Sequence, residues 1–120
     1  MVEWIILAKV VGSVLAGAAA GATVAVFWDE IKAWASRALG YILDAINWAL
    51  EVTSDAITSL MRRGTRYYVR TEVYARNISS GNYRNVYKEK EVPGVDVPDE
   101  FKQQIKNKTD GKLRMMQRRT

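Results

Sequence analysis

The sequence predicts an α+β fold, mainly α, with an N-terminal apolar transmembrane helix, a long amphipathic helix, a β-hairpin and a short basic C-terminal helix and tail. Three observations predict it: an uncharged run over residues 10–28, apolar residues at 3/4 spacing over residues 30–62, and strict alternation from Arg66 onward. The corresponding divisions are a membrane-anchor or assembly helix (1–29), the amphipathic helix (30–64) and a basic hairpin region with its C-terminal helix and tail (65–120).

The N-terminal run would be about 28 Å long as a helix, close to the thickness of a bilayer's hydrocarbon core. A secretory signal would place positive charge before the apolar stretch, whereas Glu3 is the only charged side chain among the first eight residues, so a retained segment is expected. Ser13, Ala16, Gly17, Ala20 and Gly21 form a stripe of small residues, which permits close approach of a second helix and predicts a homo-oligomer interface. Trp4 and Trp28 flank the run, where amphipathic rings favour the membrane interface. The expected localisation is therefore membrane, single-pass, with the basic C-terminal part cytoplasmic.

Within residues 30–62, which contain no proline, Leu39, Leu43, Ile46, Leu50 and Ile57 share one helical face and extend the expected oligomer interface. Trp34, Tyr41 and Trp48 recur every seven residues between polar positions. The polar stripe contains Arg37, Asp44 and Glu51; if the helix inserted, these three would line a pore. Gly40 is tolerated in such a helix, and Gly64 after Arg62 and Arg63 is expected to end it.

From Arg66 to Arg76, Tyr67, Val69, Thr71, Val73 and Ala75 alternate with Arg66, Tyr68, Arg70, Glu72, Tyr74 and Arg76. Asn77, Ser79, Ser80, Gly81 and Asn82 supply turn chemistry, and residues 83–92 read as the return strand. Such a hairpin needs a covering helix or neighbouring copies for stability. Pro98 followed by Asp99 and Glu100 starts a short helix running to about Lys106, and the last residues suit a surface anchor or a docking strand.

The net charge of +5 conceals an asymmetry: residues 1–60 carry three Lys/Arg against six Asp/Glu, and residues 61–120 carry fifteen against seven. Arg66, Arg70, Arg76, Arg84, Arg114, Arg118 and Arg119 are the expected contacts to an anionic partner. With Tyr68, Tyr74, Tyr83 and Tyr87 interleaved they could also hold single-stranded nucleic acid, a weaker reading because no RNA-binding signature accompanies them. The chain has no histidine and no cysteine, which removes thiol nucleophiles, disulfides and imidazole chemistry, and no cofactor, metal or catalytic residue is predicted.

The expected role is thus a non-enzymatic structural or assembly protein at a membrane, forming a homo-oligomer or serving as an accessory subunit beside other membrane-complex subunits and lipid. A pore-forming oligomer, and a self-assembling filament or shell subunit with the apolar helix buried between copies, are the alternatives.

Overall fold

The computed structural model describes residues 4–7 and 18–120. In chain order the elements are β1 (Ile5–Ile6), α1 (Ala18–Asp44), β2 (Glu51–Thr53), β3 (Ala56–Arg63), β4 (Arg66–Asn77), β5 (Tyr83–Val92), a 3₁₀ turn (Gly94–Asp96), α2 (Asp99–Lys106) and β6 (Lys112–Arg118). More residues lie in strands than in helices, so the mainly α expectation is corrected to a six-stranded antiparallel sheet with two helices.

Across the sheet the order is β1-β6-β3-β4, with β5 on the far side of β4. β2 pairs with residues 75–77 of β4 and β3 with residues 66–72, while β5 takes residues 67–76. Thus β2 and β3 lie end to end along one edge of β4, and β5 runs along the other. Ser54 bridges the gap between β2 and β3, accepting from the Tyr74 amide at 3.0 Å through Oγ and donating its own amide to the Tyr74 carbonyl at 2.9 Å.

The single long helix expected over residues 30–64 is corrected. α1 ends at Asp44, and residues 51–63 are strands. Over residues 56–63 an alternation coexists with the 3/4 spacing: Ala56, Thr58 and Leu60 face the core, and Ile57, Ser59 and Met61 face the other way. β-Branched Val52, Thr53, Ile57 and Thr58 fit a pleated surface, and pairing with β4 on one side and β6 on the other decides between the two periods. Gly64 does not end a helix; with φ +62° it is the first residue of the two-residue β3–β4 turn, the type II′ arrangement that suits the twist of a hairpin.

α1 runs unbroken across residues 29 and 30, and its buried residues Val24, Phe27, Ile31, Ala35, Leu39 and Ile42 form one stripe at helical spacing. That stripe covers one face of the sheet. With Phe101 and Ile105 of α2 it encloses Leu60, Val69, Leu113, Met115 and Met116 in the larger core cluster. A smaller cluster joins Leu39 and Ile42 to Ala56 and Val73. Between the strands that carry these clusters, the buried hydroxyls of Thr58 and Thr71 bond each other at 2.8 Å, satisfying two polar groups in an apolar layer.

Among the described residues no helix is long and apolar enough to cross a membrane. This overturns the expected transmembrane helix and with it the single-pass, membrane-anchored localisation. Residues 18–28 instead open α1, where Val24 and Phe27 are buried in the chain's own core. Trp28 stands edge-on to Phe101 with ring centroids 5.6 Å apart, and the Trp4 indole N–H donates to Ser36 Oγ at 3.1 Å. Both rings thus pack against their own chain.

Candidate interaction surface

Both helices lie on one face of the sheet, and among the described residues no element covers the other. Alternation and register place Val52 of β2, Ile57, Ser59 and Met61 of β3, Tyr68, Arg70, Glu72, Tyr74 and Arg76 of β4, and Tyr83, Tyr87, Glu89 and Glu91 of β5 on this open face. Lys112, Arg114 and Gln117 of β6 complete it. Val52, Tyr74 and Tyr87 are close to half exposed, and Tyr83 more so. At one end of the sheet the Ile78 amide donates to the Leu50 carbonyl at 2.7 Å, bringing exposed Leu50 and Ile78 together near Val52.

The charges of the open face are largely matched within it. The Glu89 carboxylate accepts from Arg63 and, at 3.0 Å, from Arg70; burial pushes its pKa up, and the two guanidiniums outweigh that and hold it below the usual carboxylate range. Lys112 donates to Glu72 at 3.1 Å, and Arg66 lies 3.6 Å from Glu91. The guanidinium of Arg70 also lies 4.2 Å from the centre of the Tyr87 ring, and that of Arg63 4.7 Å from Tyr68. Arg76 and Arg114 are exposed and have no carboxylate partner among the described residues. These two stand on separate strands, β4 and β6, while Arg63, Arg66, Arg70 and Lys112 are engaged by carboxylates of the same face.

A second surface lies on the helix side, where α1 overhangs β5. Trp34, Arg37, Ala38 and Tyr41 of α1 and Lys88 and Glu89 of β5 line a cleft of about 290 Å³, continued past Gly40 to Asp44 by a hollow of about 270 Å³. Lys88 points over the Tyr41 ring at 6.0 Å and Lys90 over the Trp34 ring at 5.7 Å.

No known protein family, curated protein or solved structure matches this chain. Its function therefore has to be argued from its own surfaces.

The residues expected to act together are scattered. Ser13, Ala16 and Gly17 lie outside the described residues, and Ala20 and Gly21 fall at the start of α1. Leu39 and Ile46 are buried and Leu43 packs against the smaller core cluster, whereas Leu50 is exposed and Ile57 is half-buried on the open face. Arg37 and Asp44 are exposed on α1, but Glu51 is buried, so the three do not share a surface. Glu51 is held by Arg84 through two bonds of 2.8 and 2.9 Å and by the Asn47 amide at 2.9 Å. These bonds, led by the Arg84 guanidinium, hold its carboxyl at about 2, well below the ordinary 4.5. Arg84 also donates to the Ala45 carbonyl at 2.9 Å, which leaves it pinning the end of α1 to the sheet. Arg118 lies over the Trp4 ring, and Arg119 is exposed at the chain's end.

Val52 and Met61 could not be assigned to a surface from the sequence, because their segment carries helical spacing. The Lys88/Glu89/Lys90/Glu91 alternation of β5 was the readable signal for the second surface. Among the described residues no group of three carboxylates is arranged to hold a metal ion.

Proposed function

We propose that this chain is a non-enzymatic assembly subunit whose open sheet face meets the same face of a second copy. The observation that carries this reading is the gathering of exposed apolar and aromatic side chains on a sheet face that, among the described residues, no helix covers, and whose three carboxylates are all engaged by cations of that face. An antiparallel sheet can leave one face in water, but its outward side chains are then mainly polar. Here Val52, Tyr74, Tyr83 and Tyr87 are exposed among the charged residues of that face, with Leu50 and Ile78 continuing the patch.

Two copies stacked face to face would form a sandwich with about 10 Å between sheets and place the tyrosine rings at its centre. Glu72, Glu89 and Glu91 are each paired with a cation of their own face, so stacking buries no lone carboxylate, and Arg76 and Arg114, which lack a carboxylate on their own copy, have to stand apart from their counterparts or keep contact with water.

Light-scattering mass measured across a concentration series tests this. The native chain is expected to reach twice its 13.6 kDa or a multiple of that, and the double substitution Val52→Asp/Tyr74→Asp to remain at 13.6 kDa with unchanged circular dichroism. A native chain at 13.6 kDa throughout, or an assembly indifferent to both aspartates, contradicts the reading.

A further inference from the structure

We infer that the groove between α1 and the free edge of β5 receives an extended, acidic segment of a partner protein, which adds to the sheet as a further strand beside β5. This inference does not rest on self-association through the open face.

Three observations lead to it. β5 is ten residues long and, among the described residues, pairs with β4 alone, so its outer edge offers a row of backbone donors and acceptors. The wall above that edge is cationic. Arg37, Lys88 and Lys90 reach into or beside the cleft, and none of them has a carboxylate within ion-pair distance among the described residues. Glu89, which also borders the cleft, is already held by Arg63 and Arg70, and Asp44 stands only at the far end. Finally, the cleft has room. Gly40 has nothing within 4 Å of where a Cβ would stand, and the Trp34 and Tyr41 rings form a floor rather than a plug.

The register of charges on β5 selects the occupant. On the groove side it presents Arg84, Val86, Lys88, Lys90 and Val92, and on the open side Tyr83, Asn85, Tyr87, Glu89 and Glu91. A second copy's β5, paired antiparallel with faces aligned and centred on Lys88, sets that lysine against itself. Centred on Glu89 it sets Lys88 against Lys90, and centred on Tyr87 it sets Lys90 against Arg84. Like charges directly opposite destabilise a strand pair, so β5 is blunted against its own kind. A strand with carboxylates at alternate positions faces no such conflict. Two carboxylates two residues apart stand about 6.8 Å from each other, the step from Lys88 to Lys90, while the side chain between them lies beside Glu89 on the open face, with Tyr87 and Glu91 opposite the next positions on that side, so uncharged residues are required there. Backbone bonds supply affinity in such strand addition, and the alternating charges supply register.

The test uses the full chain and two labelled decapeptides, one alternating glutamate with threonine and one alternating lysine with threonine, read by fluorescence anisotropy. The native chain is expected to bind the acidic peptide and not the basic one. The double substitution Lys88→Glu/Lys90→Glu is expected to weaken the acidic peptide about tenfold and to create binding of the basic one. Both lysines are exposed, so the exchange leaves the fold intact, and Lys88→Gln/Lys90→Gln provides a milder variant that loses the acidic peptide without gaining the basic one. N-methylation of the acidic peptide at alternate amides is expected to abolish binding in one of the two sets and spare it in the other.

Absence of binding by the acidic peptide overturns the inference, as does equal binding of both peptides or indifference to the lysine exchange. Indifference to N-methylation in both sets also overturns it, because it leaves a charge contact without an added strand. The Val52→Asp/Tyr74→Asp variant keeps the groove, so its undiminished peptide binding separates a failure of self-assembly from a failure of this site.

Discussion

Arg84 reaches from β5 to the carbonyl of Ala45 and to the carboxylate of Glu51, so one side chain ties together the end of α1, the start of β2 and the outer strand. Both residues are visible in the sequence as charges, but their partnership spans 33 positions and depends on the β4–β5 register, which no local pattern encodes. That is why Glu51 reads as a pore-lining group and Arg84 as a contact for an anionic partner when only spacing is available. The pair has a pH consequence. The Glu51 carboxyl is lowered to about 2 in the folded chain from the ordinary 4.5, so the stability it contributes is present in full above about 4.5 and is lost as pH falls toward 2. NMR titration of the Glu51 carboxyl is expected to give a midpoint near 2, rising toward the ordinary value in Arg84→Met, where the Asn47 amide alone still favours the charged form. An unchanged midpoint in the variant shows that Arg84 is not the cause.

At the scale of elements, legibility depended on how many periodicities a segment could satisfy. The alternation predicted from Arg66 and the return strand predicted from residue 83 are β4 and β5, and the helix predicted after Pro98 is α2, because each carries one period and clear turn residues at its ends. Residues 51–63 carry two. Their helical spacing continues that of α1, and only pairing with distant β4 and β6 makes them strands. Turn glycines show how tightly these elements close on each other. Gly111, with φ +63°, precedes β6, and a Cβ there would stand 2.8 Å from the Arg62 carbonyl, which belongs to neighbouring β3. Gly64 has nearly the same φ, +62°, and open space around it. Gly111→Ala is therefore expected to cost about 2 to 3 kcal/mol and Gly64→Ala about 1 kcal/mol, as compared by urea unfolding. Equal losses would show that backbone strain alone decides both sites.

For the whole molecule, the decisive fact is a sheet that, among the described residues, is clothed by helices on one side only. The sequence signalled an assembling protein by its excess of apolar residues and directed attention to the first helix as the interface. In the structure much of that excess is taken up within the chain, where Phe27, Ile31, Leu39 and Ile42 of α1 cover the sheet. Ser13, Ala16 and Gly17 of the small-residue stripe fall outside the described residues; of the exposed aromatic side chains, Tyr74, Tyr83 and Tyr87 lie on the open face, Tyr41 lies beside the β5 edge, and Trp48 lies in the connection between α1 and β2. Composition could indicate that apolar surface was in surplus. Locating it required the pairing of strands far apart in sequence, since exposure of Tyr74 and Tyr87 follows from which face α1 happens to cover.

The most direct test of assembly through that face is site-specific photocrosslinking, with a benzoylphenylalanine placed at Tyr74 and, separately, at Tyr41 on the helix side. The account predicts crosslinked dimers from position 74, with the link mapped by mass spectrometry to open-face residues such as Val52, Tyr74 or Tyr87 of the second copy, and no dimers from position 41. Dimers formed from position 41 alone, or a chain that crosslinks only within itself from position 74, would contradict it.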